Sequence, residues 1–209
     1  MKSNTDLRFV KTEKNIKKVF LELMEEMGFS KLNVKNLVER AEINRSTFYL
    51  HYVDKFDLLN RIEDELLAGM KNIAVTMPLD LVFSSGFADE RVLSIMLRMA
   101  RYIYENGRVF TVLMSKNGDP AFIVKFGEII RSVWQEKNIL DNLTIPQQYA
   151  LAAFIGLTSS LIGEWLRSEL RETPEEYVRM VANIIRDVLK SMLFQHADLP
   201  EYGHAAITS

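Results

Sequence analysis

The 209-residue chain contains no cysteine. That excludes a disulfide framework, a thiolate nucleophile and a Cys-ligated zinc, and it suits a reducing compartment. Histidine is almost as scarce. His51, His196 and His204 are the only three, two of them in a polar C-terminal stretch, so a catalytic metal would depend on carboxylates, and these are not clustered. Sustained apolar–polar alternation is missing as well, which argues against strands. No acid–base pair, nucleophile–base arrangement or phosphate loop occurs, so no catalytic residue, metal or cofactor is expected and a small all-α enzyme is disfavoured. The residues Met1 to Asp6 are polar and lead into a charged amphipathic segment, which predicts no secretory leader. One stretch of near-spanning length, Tyr149 to Leu166, holds Thr158, Ser159, Ser160 and Glu164 and has no partner spans; it reads as a buried helix of a cytoplasmic protein without membrane contact.

What is present is enough apolar material for a sizeable core, 48% of positions, with 26% charged. The net charge of −2 is unevenly divided. Residues 1–61 carry 12 Lys+Arg against 9 Asp+Glu, a net of +3, and residues 62–209 carry 14 against 19, a net of −5. A front end that meets a polyanion and a remainder that does not would show this asymmetry, although +3 is modest.

Helical periodicity runs through nearly the whole chain. Ile16, Val19, Phe20, Leu23, Met24 and Met27 fall on one face of a first helix from about residue 8, closed by Gly28. Asn33, Asn44 and Asp54 are placed to cap three further helices, the last running to about Met77. After a loop from Pro78 to Ala88, helices are predicted to Asn106, over Val109–Ser115, from Asp119-Pro120, over about 146–170 and over about 174–193. Capping boxes are expected at Thr144 with Gln147 and at Thr173 with Glu176. The fold class is therefore all-α, with about nine helices. It divides into an N-terminal domain over 8–54, a larger helical domain over 55–194, and a loose tail over 195–209.

Asn33 to Tyr52 comprises two short helices joined by Glu42-Ile43-Asn44, the layout of a helix-turn-helix. Val34, Leu37, Val38, Ile43 and Phe48 supply its core, which leaves Arg45, Ser46, Thr47, Tyr49 and His51 for the outer face of the second helix. All five can hydrogen-bond. Such an edge suits the major groove, where Arg reads guanine, hydroxyls read several edges and aromatic rings lie on thymine methyls.

The run Arg45-Ser46-Thr47-Phe48-Tyr49-Leu50-His51-Tyr52-Val53-Asp54-Lys55-Phe56-Asp57-Leu58-Leu59, preceded by Leu32-Asn33-Val34-Lys35-Asn36-Leu37, resembles the N-terminal domain of the TetR/AcrR family of transcriptional regulators. The likeness extends over about residues 8–70. Further on, Glu164-Trp165-Leu166 and Thr173-Pro174-Glu175-Glu176 resemble a Gram-positive branch of that family. The resemblance implies that Asn33 and Lys35 touch phosphate, and that Arg45, Ser46 and Thr47 enter the groove. It further implies that Tyr49 and His51 meet backbone or thymine, that Lys55 meets a phosphate, and that Tyr52 lies mainly in the core with its hydroxyl outward. Where the family often has Gly in the turn, this chain has Glu42, which must either avoid the left-handed conformation or adopt it at a cost.

One short recognition helix reads too few bases alone, so a homodimer on two half-sites of double-stranded DNA is expected. The small-residue strip Ala152, Gly156, Ser160 and Gly163, with Val181, Ile185, Val188 and Met192 on the last helix, is the expected dimer seam. The resemblance also implies a pocket for a small, mostly apolar effector, with candidate lining residues Met96, Met99, Tyr102, Phe110, Met114, Phe122, Phe126 and Trp134; such stripes are equally ordinary core. The expected function is a ligand-responsive repressor on a palindromic operator. The alternative is a co-regulator of the same fold that acts through protein contacts.

Overall fold

A computed structural model describes residues 4–78, 81 and 89–193. The predicted tail, His196, His204 and all of the predicted loop except Pro78 and Leu81 lie outside them. Among the described residues there are nine α-helices and no strand. They are α1 (Asn4–Met27), α2 (Val34–Arg40), α3 (Arg45–His51), α4 (Lys55–Ala74), α5 (Glu90–Glu105), α6 (Gly107–Met114), α7 (Ala121–Glu136), α8 (Gln147–Arg167) and α9 (Pro174–Leu193).

The helix ends follow local chemistry. The Asn33 side chain accepts from Asn36 N, that of Asn44 from Thr47 N, and that of Asp54 from Phe56 N and Asp57 N, each satisfying a donor that helix geometry orphans. Gly28 closes α1 at φ +79°, the left-handed cap that glycine adopts without a Cβ clash. Thr173 and Glu176 form a reciprocal box: Thr173 N donates to Glu176 Oε2 at 2.9 Å and Glu176 N to Thr173 Oγ1 at 3.3 Å. Thr144 behaves differently. Its hydroxyl and its backbone N–H both donate to Met192 O, at 2.9 and 2.8 Å, so it ties the start of α8 to the end of α9 instead of capping.

Helices α1, α2 and α3 enclose Ile16, Phe20, Leu37 and Phe48, all without solvent exposure. α4 adds Leu58 and Leu59 to this cluster, which continues through α5, α6 and α7 to Trp165 and Val181. The core is thus continuous across the division expected at residues 54/55, and α4 belongs to both halves. Its far end packs on α5 and α7. α8 is long and apolar enough to cross a bilayer, but it packs against α6, α7 and α9 as a helix of the bundle.

Close approach of α4 and α5 depends on Gly69. A Cβ there would stand 2.1 Å from the Tyr102 hydroxyl, which crosses α4 to donate to Leu66 O at 2.9 Å.

Candidate nucleic-acid interface and interior cavity

The turn between α2 and α3 is built on Glu42 at φ +53°, the left-handed conformation. Ile43 N donates to Val38 O at 3.0 Å and Glu42 N to Glu39 O at 3.3 Å, the paired bonds of a Schellman end. The cost of a Cβ in this region, of order 1–2 kcal/mol, is accepted because the turn closes the orphan carbonyls of α2 and seats Ile43 against the core. Asn15 Nδ2 adds a bond to Ala41 O at 2.9 Å, fixing α1 against the same corner.

Beyond the turn, Asn44 Oδ1 accepts from Thr47 N, Ser46 Oγ and Thr47 Oγ1 at 2.7–2.8 Å. Both hydroxyls therefore point their protons at the cap and leave lone pairs outward, able to accept from an exocyclic base amine. Arg45, Ser46 and Tyr49 are exposed, and Thr47 is half-buried. Asn33 and Lys35 are exposed at the start of α2, with the Lys35 ammonium 4.0 Å from Glu39 Oε1.

Two residues expected at the DNA, His51 and Lys55, are turned inward, and Tyr52 lies in the core as expected but with its hydroxyl on Glu13. His51 is buried, its ring stacked 3.9 Å from that of Phe9, and among the described residues its Nδ1 has no hydrogen-bond partner. Burial holds its pKa below the ordinary value, with the Glu13 carboxylate pulling the other way. Tyr52 is buried and its hydroxyl lies 3.4 Å from Glu13 Oε1, facing inward. Lys55 directs its ammonium to the carbonyls of Phe29, Ser30 and Leu32, at 3.0, 3.4 and 2.7 Å, over the Phe29 ring. It staples the α1–α2 loop by gathering three of its carbonyls on one ammonium. Conversely, Leu50 stands outward from α3 with 77% of its surface exposed, and Tyr49 with 51%. Hydrogen-bonding capacity does not mark an apolar residue on this edge; the position of Leu50 opposite buried Phe48 on the helical wheel does.

Within the larger part lies a cavity of about 220 Å³. Its lining side chains are uncharged and, apart from the hydroxyls of Thr158 and Tyr177 and the indole N–H of Trp134, apolar. Of the predicted lining residues, Met96, Met99, Phe126 and Trp134 are brought together there. Tyr102, Phe110, Met114 and Phe122 are not: Phe110 and Phe122 are core residues, and Tyr102 is turned onto α4. α4 supplies Met70, Ala74 and Met77, while α8 and α9 supply Phe154, Thr158, Val181 and Ile185. Those residues lie outside the stretch from Met96 to Trp134 that holds the expected lining.

The expected dimer seam is likewise divided. Ala152, Gly156 and Ser160 are exposed on α8, and a Cβ on Gly156 would meet no described atom beyond its own helix within 4 Å. Gly163 is buried, facing Met114 and Arg167. On α9 Val181 and Met192 are buried, and Ile185 and Val188 are half-buried, because that stripe packs inward on the cavity and core; Met180 and Ile184 face out instead.

Two family models match, one described as bacterial regulatory proteins of the tetR family over residues 19–62, the other as a transcriptional regulator C-terminal region over residues 90–187. A curated relative, the uncharacterized HTH-type transcriptional regulator YxbF of Bacillus subtilis (strain 168), is 20% identical over 184 residues. That alignment takes in 83% of this chain but only 44% of the relative. Among solved structures, a TetR transcriptional regulator from Streptococcus agalactiae 2603V superposes with a TM-score of 0.60 at 20% identity, covering 87% of this chain and 97% of the other. NalD, the secondary repressor of the MexAB-OprM multidrug efflux pump in Pseudomonas aeruginosa, gives 0.59 at 17% identity, covering 88% and 96%. Thermus thermophilus FadR, a repressor solved in complex with lauroyl-CoA, gives 0.50 at 17% identity, covering 90% and 98%. These likenesses share the helical fold, and together with the two matching models they place the chain in the TetR family of bacterial transcriptional regulators.

Proposed function

We propose that this TetR-family regulator is a ligand-responsive, cytoplasmic repressor that grips a palindromic operator as a homodimer. The observation that carries the reading is the exposed edge of α3, Arg45, Ser46 and Tyr49 with Thr47 beside them, held out from the core on a doubly anchored turn. Asn33 and Lys35 flank it for phosphate contact, and the basic balance of residues 1–61 matches a polyanion. His51, Tyr52 and Lys55 serve this edge from behind by fixing α3 and the loop before α2. The outward strip Ala152, Gly156 and Ser160, with Met180 and Ile184, is the seam that pairs two reading heads.

The cavity supports an uncharged, apolar effector, since a charged one would be desolvated there without a partner. α4 joins the two sites: Met70, Ala74 and Met77 line the cavity, and its first residue, Lys55, is bonded to the α1–α2 loop. An effector that binds better when α4 is displaced would change the separation of the heads, and would weaken operator binding by that difference in binding energy.

Selection of bound sequences from random duplexes, at two salt concentrations, tests the reading. The expected product is an inverted repeat whose affinity falls with salt. Arg45→Ala is expected to cost about 1–3 kcal/mol and relax preference at one base position. Recovery of no sequence, or an unchanged preference in Arg45→Ala, overturns it.

A further inference from the structure

The most exposed large apolar side chain among the described residues, Leu50, is on the recognition helix. Helix α3 turns about 100° per residue, so Leu50 lies about 200° round from Phe48 and one turn beyond Ser46. Phe48 is wholly buried and Ser46 is exposed, which places Leu50 at the centre of the outward arc. Tyr49 flanks it on one side and Thr47 on the other. No described residue covers it, since 77% of its surface is exposed, and a leucine held in water at this position gains nothing for folding.

The surface that can cover it is the one this edge already fits. In the major groove the base edges offer hydrogen-bond donors and acceptors together with one apolar group, the thymine 5-methyl. Ser46 and Thr47, with lone pairs outward, and Arg45, with donors, can satisfy polar base edges; Leu50 can satisfy none of them. A polar base edge beneath Leu50 would lose its water without replacement, whereas a thymine methyl would bury apolar surface against apolar surface. We infer that Leu50 is a specificity-determining residue that reads the 5-methyl group of one thymine in each half-site. The inference rests on the operator-binding function proposed above.

Its test replaces thymine by deoxyuridine, which keeps pairing and removes only the methyl. Each thymine of the selected operator is exchanged in turn, symmetrically in both half-sites, and the affinity of the full-length protein is measured by fluorescence anisotropy. At one position the exchange is expected to weaken wild-type binding by about fourfold per half-site, the worth of one methyl-sized burial. Leu50→Ala is expected to bind the thymine operator correspondingly less well and to be indifferent to deoxyuridine at that position alone. Because Leu50 makes no core contact, Leu50→Ala keeps the fold, which circular dichroism checks; Leu50→Met, retaining an apolar end, is expected to restore part of the sensitivity. Methyl sensitivity that persists unchanged in Leu50→Ala, or a loss spread equally over all duplexes, overturns the assignment while leaving operator binding intact. Failure of the wild-type protein to bind any duplex overturns both.

Discussion

At the scale of single residues, the imidazole of His51 joins the end of α3 to the start of α1. It is buried against Phe9, with Glu13 as the charged neighbour and Tyr52 stacked beside it. Burial disfavours the imidazolium, so the folded-state pKa lies below the ordinary 6.5 despite the pull of Glu13. The unfolded chain then takes the proton first. The stability this neutral ring contributes is complete above pH 6.5 and is lost as pH falls from there through the lowered value. Thermal melts of the wild type between pH 7.5 and 5 are expected to show this loss, and His51→Gln to show a flatter profile across the same window. Equal slopes would mean that the ring titrates as it does in water. The same residue shows where local pattern stops informing: its place on α3 was legible, but its burial depends on Phe9, 42 positions earlier. The inward turn of Lys55 has the same kind of cause, since three carbonyls from residues 29–32 claim its ammonium.

At the scale of elements, α4 is the member to which the proposed ligand response assigns the displacement, and one buried contact decides how stiffly it is held. Glu63 has no solvent exposure; its Oε2 accepts from Lys125 Nζ of α7 at 2.6 Å, and among the described residues its Oε1 has no hydrogen-bond partner. Burial raises its pKa against the attraction of Lys125. Lys125, partly exposed and also bonded to Asn60 Oδ1 at 2.7 Å, can return to water if the pair is broken. The two single changes should therefore be unequal. Lys125→Met strands a buried carboxylate and is expected to cost about 3 kcal/mol in urea unfolding, whereas Glu63→Gln leaves a neutral amide and should cost about 1 kcal/mol. Equal losses would show that Glu63 is already protonated in the folded protein at neutral pH. None of this pairing was legible beforehand, because positions 63 and 125 are neighbours only in three dimensions. Element ends fared better: Asn33, Asn44, Asp54, Gly28 and the Thr173–Glu176 box cap within a few residues of themselves and were readable as such. Thr144 had an equally suitable sequence and failed as a cap, because a carbonyl 48 residues away competes for both its donors.

At the scale of the whole molecule, the inward turn of the α9 stripe removes half of the seam that periodicity picked out and shifts the question to α8. Sequence spacing told which residues share a face, but not whether that face meets the same chain or a second one. Gly156 separates the two cases. It is exposed, and a Cβ there would meet no described atom beyond its own helix within 4 Å. In the isolated protomer Gly156→Glu should even favour the helix by about 0.5 kcal/mol, since glycine is the poorer helix former. Across a two-fold axis the same change sets two carboxylates and two added side chains into a helix–helix contact that small residues keep close. Sedimentation equilibrium is therefore expected to show a dimer for the wild type and a mass of one chain for Gly156→Glu, with helix content by circular dichroism unchanged. The melting temperature should rise with protein concentration in the wild type and lose that dependence in the variant, because only a dimer links folding to mass action. A variant that stays dimeric would move the seam off this strip of α8. A variant that is monomeric yet still binds a half-site duplex, with the full operator bound no more tightly than a half-site, would show that the strip acts only by pairing the two reading heads.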